Sequence, residues 1–181
     1  MKKESLFKSL IALSMLCFVL AACGDDEDKK ANEWLVAGVP VEVGDVYLTQ
    51  GIEGNNEGYS LIVTSTGISV FQTDDDTDDF KGDGHIFFLF LKNDITTPLK
   101  EGTYTFNSDG ELPQSLFWGQ LNTMVDDRYI NAGLVKAGTV DVSKSGTSYT
   151  ITYDLTLELD ETEIAVTGYY SGNLKPAYFL F

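Results

Sequence analysis

The chain has 181 residues, 12 Lys and Arg against 28 Asp and Glu, and a formal net charge of −16. So acidic a surface repels the phosphates of nucleic acid and of anionic lipid headgroups, which excludes nucleic acid as a partner and leaves charge unable to hold the chain on a membrane. With 43% hydrophobic residues and only two cysteines, the fold has to rest on its own apolar core rather than on covalent staples.

The first segment has to be set aside before the fold is read. Lys2, Lys3 and Lys8 form a basic start, and Leu10 to Leu20 is a run of apolar and small residues. A permanent bilayer span needs about 20 apolar residues, so this run is too short for one. It closes on Leu20, Ala21, Ala22 and Cys23, which resembles the bacterial lipobox. That resemblance implies a signal peptide over residues 1–22, cleavage before Cys23, and lipidation of the Cys23 thiol. Cys17 then leaves with the signal, and the remaining chain has no disulfide. Residues 23–33, with Asp25, Asp26, Glu27, Asp28, Lys29 and Lys30, offer almost nothing to bury and read as a solvated tether. Acidic residues just after a lipidated cysteine resemble the export signal of Bacteroidetes-type surface lipoproteins. This implies lipid anchoring in the outer membrane with the domain facing the cell exterior.

Residues 34–181 read as one all-β domain. Trp34 is expected to dock the start of the chain onto it. Strands are expected at 45–52, 59–66, 68–72, 85–92, 102–107, 115–121 and 138–143, with turn residues between them. The strongest signal is Tyr149 to Leu159, where Tyr149, Ile151, Tyr153, Leu155, Leu157 and Leu159 alternate with Thr, Asp and Glu. A strand places those six on one buried face, whereas a helix would scatter them. Strands over 164–174 and 177–181 complete a C-terminal meander. Ile86 to Leu91 is apolar at every position, which predicts a strand covered on both faces. Pro40, Pro98, Pro113 and Pro176 are expected between strands. An antiparallel β-sandwich or jelly roll accommodates this pattern, with a lipocalin-like β-barrel as the alternative.

Three stretches, LKEGTYTF at 99–106, GTVDVSKSGTSYTITYDL at 138–155 and TGYYSGNL at 167–174, resemble a recurring pattern in uncharacterised Bacteroidetes lipoproteins. In it a Gly-x-Val-x-Val strand, a Gly-x-x-Tyr-x-Ile strand and a Gly-x-Tyr-x-Gly strand follow one another. The resemblance implies a shared fold and export route and brings no catalytic residue with it.

Few residues are suited to chemistry. His85 is the only histidine, so any site needing two imidazoles is excluded, and nothing resembling Gly-x-Ser-x-Gly surrounds a serine. Asp74, Asp76 and Asp78 have the spacing of the first three ligands of an EF-hand loop. Asp79 stands where that loop needs Gly and His85 where it needs Glu, so the EF-hand reading fails. A looser Ca²⁺ site competes there with a solvated hairpin tip, and no other cofactor is expected. Phe117, Trp118 and Tyr129 are the candidate ligand platform, weighed against plain core packing of Trp118. The expected function is a non-enzymatic binding or structural accessory module on the cell surface, with a glycan or a protein as ligand. The alternative is a small glycan hydrolase using paired carboxylates, for which no particular Asp or Glu stands out.

Overall fold

A computed structural model describes residues 32–53, 55–95 and 98–178, with the side chains of 131 and 132 excepted. The expected signal peptide, Cys23, nearly all of the expected tether, and the last three residues of the expected 177–181 strand lie outside the described residues. Those described form twelve strands and no helix. They are β1 (Glu33–Val36), β2 (Val39–Glu53), β3 (Asn56–Ser65), β4 (Ile68–Gln72), β5 (Asp78–Gly82), β6 (Gly84–Lys92), β7 (Gly102–Thr105), β8 (Ser115–Val125), β9 (Arg128–Ser145), β10 (Ser148–Leu159), β11 (Thr162–Gly172) and β12 (Lys175–Pro176).

Eight of these strands follow one another around the sheet in chain order, β1, β2, β3, β6, β8, β9, β10 and β11, each antiparallel to the next. β1 then pairs with β11 as well as with β2, so the sheet closes on itself. Of the two architectures that the alternation allowed, the chain takes the barrel. Three pieces sit outside the ring: the β4–β5 hairpin, β7 against β9, and β12 parallel to β2.

Alternation along each strand fills the interior. Leu61 and Val63 of β3, Phe87, Leu89 and Leu91 of β6, Val140 and Val142 of β9, and Ile151, Tyr153, Leu155 and Leu157 of β10 all belong to one buried cluster. An eight-stranded barrel is just wide enough for side chains to fill, and large ones fill this one. β6 is covered on both faces, as its unbroken apolar run predicted. Its outward residues Ile86 and Phe88 belong to a second cluster, with Tyr47, Ile62 and Met124, roofed by Ile68 and Phe80 of the β4–β5 hairpin. Phe80 meets Phe88 edge-on, with ring centroids 5.7 Å apart.

One expectation is sharpened and one corrected. Trp34 docks the start of the chain from inside the barrel, at 0% exposure. Its partner Gly168 on β11 explains how so large a ring fits, because Gly168 also faces Tyr153 of β10. A Cβ at Gly168 would collide with the Tyr153 ring, so the Gly-x-Tyr-x-Gly stretch is a packing device. Pro40 lies within β2, and Pro176 within β12 at the outer side of β2, rather than between strands. Pro40 faces Leu35 of β1, in a stretch of β2 that precedes the ladder to β3, so a missing N–H is tolerated there.

Candidate functional site

The two ends of the barrel are built from different parts. At one end, which we call the closed end, β6 runs into the segment 93–114 before β8 begins. This segment sends Leu99 (3% exposed) and Tyr104 (0%) into the core. The Tyr104 hydroxyl donates to the Lys100 carbonyl at 2.9 Å, and burial pushes its pKa up to about 12. Asn107 donates its N–H to the Leu116 carbonyl, and Lys92 donates to the Gly110 carbonyl, which holds the segment down.

The opposite end, the open rim, carries the turns β1–β2, β8–β9 and β10–β11 and the connection from β3 to β6, which folds back over the outer wall as the β4–β5 hairpin. Three pairs of turn residues, Ala37 and Gly38, Asp126 and Asp127, and Asp160 and Glu161, all have positive φ. Two-residue turns of this kind match the twist of the strands they join, which keeps the rim tight without a covering loop. Val39 pairs with Val36, two residues beyond the buried Trp34, and Val125 lies two residues beyond Thr123 on the inward side of β8. Val39 is nevertheless 63% exposed and Val125 43%. Ile130, the extra residue where the β8–β9 register shifts, is 54% exposed. The rim thus combines exposed branched apolar side chains with acidic turn tips.

The β8–β9 turn is itself anchored. Gly82 donates its N–H to Asp127 Oδ1, and Asp126 donates its N–H to Asp83 Oδ1 at 2.7 Å. These carboxylates tie the rim to the corner between β5 and β6.

The three candidate aromatics are not brought together. Phe117 is the extra residue where the β6–β8 register shifts, Phe90 pairing with Trp118 and Leu91 with Leu116. The bulge lets Phe117 and Trp118 share the outer wall, where Phe117 meets the Phe90 ring edge-on at 6.1 Å and Trp118 packs against the outer cluster. Both are half-buried. Tyr129 pairs with Met124, six residues further along β8, which is about 20 Å at ~3.3 Å per residue. It stands on the β8–β9 hairpin, where partial burial, and then the Asp79 carboxylate, raise its pKa.

His85 sits at the rim end of β6. Its Nδ1 lies 3.1 Å from Thr123 Oγ1 and its ring meets Trp34 edge-on at 6.4 Å; burial lowers its pKa. Asp74, Asp75 and Asp76 form the tip of the β4–β5 hairpin, closed by Thr73 and Thr77. Asp78 instead accepts the Tyr178 N–H at 2.8 Å. Among the described residues no group of three or more His, Cys, Asp or Glu side chains converges as a metal site would require. Two carboxylate pairs do face each other across strands, Glu33 with Glu42 and Glu158 with Glu163. All four residues are exposed. An open groove of about 520 Å³ lies at Asn32, Glu33, Pro40, Glu42 and Val43.

No protein-family model, curated protein or solved structure matches this chain.

The rim residues were invisible in the sequence because their signal is positional. Val39, Val125 and Ile130 look like ordinary strand residues until the ring closes and leaves them at its lip. The first half of β9, from Arg128, also lacks the alternation that would have marked it as a strand.

Proposed function

We propose that this chain is a lipid-anchored module on the outer face of the outer membrane, held through Cys23, which binds a protein partner with the open rim of its barrel and performs no catalysis. The observation that carries this reading is the contrast between a filled interior and an exposed apolar rim. A barrel packed with Trp34, Phe87, Tyr153 and their neighbours leaves the exterior as the binding surface. Val39, Val125 and Ile130 keep apolar area in water at a cost that a binding surface recovers on contact. A protein suits this rim better than a glycan, since Tyr129 shares no platform with Phe117 and Trp118.

Anchoring and display are tested together by fractionation and protease shaving of intact cells. The wild-type chain is expected in the membrane fraction and sensitive to added protease. Cys23→Ser is expected in the soluble fraction. Membrane retention of Cys23→Ser would overturn the anchor, and protease resistance on intact cells would overturn outward display.

A further inference from the structure

The order of the three rim turns around the barrel follows from the strands they join. β8, β9, β10, β11, β1 and β2 are successive neighbours, so the β10–β11 turn stands between the β8–β9 turn and the β1–β2 turn. Strands lie about 4.8 Å apart, which puts each turn about 10 Å from the next. The two outer turns carry the exposed apolar side chains, Val39 on one and Val125 and Ile130 on the other. Residues 159–164 of the middle turn carry Asp160, Glu161 and Glu163, all exposed, and no Lys or Arg. The β8–β9 turn adds exposed Asp126 and Asp127 beside Arg128, and its hydrogen bonds to Gly82 and Asp83 hold it in place. The lip is thus apolar on two sides and acidic between them.

We propose that the partner of this rim is a cationic protein segment, with Lys or Arg side chains over Asp160 and Glu161 and apolar side chains to either side, over Val39 and over Val125 and Ile130. This rests on the rim being the binding surface, as proposed above. Contact with the two apolar turns covers the acidic turn between them, and a carboxylate stripped of water needs a cation or a donor in exchange. A neutral or acidic surface supplies no cation. The apolar contacts contribute most of the attraction, while the charges select the partner and speed its approach. The same carboxylates repel the phosphates of nucleic acid and of anionic lipid.

The test uses the full chain with a photo-reactive side chain at position 130, in membranes from the organism that makes the protein, and reads the yield of the protein adduct. Raising NaCl from about 0.1 M to about 1 M shortens the Debye length from ~10 Å to ~3 Å and is expected to lower that yield. At the lower salt, Asp160→Asn combined with Glu161→Gln is expected to lower it at least about twofold with an unchanged melting temperature, as the loss of two exposed ion pairs requires. Asp109→Asn combined with Glu111→Gln removes as much charge from exposed positions of the closed-end segment and is expected to leave the yield unchanged. Sequencing the adduct by mass spectrometry is expected to place the link in a stretch rich in Lys or Arg. If the chain gives no adduct from position 130, the rim reading falls and this proposal with it. An adduct indifferent to salt and to the Asp160 and Glu161 substitutions, equally reduced by the closed-end pair, or linked within an acidic stretch would leave the rim as the binding surface and overturn its cationic partner alone.

Discussion

The closed end and the open rim finish the same set of strands in opposite ways. At the closed end a long segment returns apolar side chains to the core, and Tyr104 and Leu99 become part of the barrel's packing. At the rim, the two-residue turns bring nothing back to the interior and the β4–β5 hairpin folds over the outer wall instead, so Val39 and Val125 continue the inward-facing rows of β2 and β8 beyond the point where the interior covers them. One end contributes stability and the other leaves apolar area unspent. Substitutions at the two ends should therefore separate folding from binding.

The largest effects are expected inside and at the closed end. Tyr104→Ala removes a fully buried ring and should destabilise the domain by about 3–5 kcal/mol in urea unfolding. Gly168→Ala should cost about 1–3 kcal/mol or more, because the added Cβ meets the Tyr153 ring and Trp34 closes the other side. If either substitution proves neutral, the interior is not filled as described. Ile130→Asp and Val39→Asp at the rim should change stability by no more than about 0.5 kcal/mol while weakening partner binding. A large loss of stability there would erase the distinction between the ends.

Two smaller effects sharpen it. Glu161 holds φ at 63° in the β10–β11 turn, so Glu161→Gly should raise stability by about 0.4–1 kcal/mol, read as a higher melting temperature. Burial lowers the pKa of His85 in the folded barrel, whereas the unfolded chain takes up a proton near pH 6.5. Above about pH 6.5 both states are deprotonated at this group and it sets no penalty, and stability is lost as the pH falls from that value through the lowered folded one. His85→Gln should flatten the melting temperature between about pH 7.5 and 5.5, the range in which histidine titrates.

The sequence carried the strands more clearly than their closure. Ile68 to Gln72 and Tyr149 to Leu159 appear as strands over the expected residues, and Ile86 to Leu91 is covered on both faces because its period-two pattern is apolar throughout. β5 was missed because Asp78, Asp79 and Lys81 look like loop residues, and only pairing with β4 makes them a strand. Closure was not decidable locally. It depends on four residues, Glu33 to Val36, pairing both with β2 next to them and with β11 far along the chain. No periodicity encodes that second contact. The same long-range step placed Trp34 in the core and Val39 and Val125 at an exposed lip. The aromatic candidates were legible as residue types, but their separation along β8 was not.

The most direct measurement is site-specific photo-cross-linking in the organism that makes the protein, with the reactive side chain placed at Ile130 on the rim or at Leu112 in the closed-end segment. Both positions are exposed, at 54% and 45%, so access alone does not favour either. The account predicts one discrete protein adduct from position 130, lost on Val39→Asp, and none from position 112. Adducts from 112 alone, or equally from both, would contradict it.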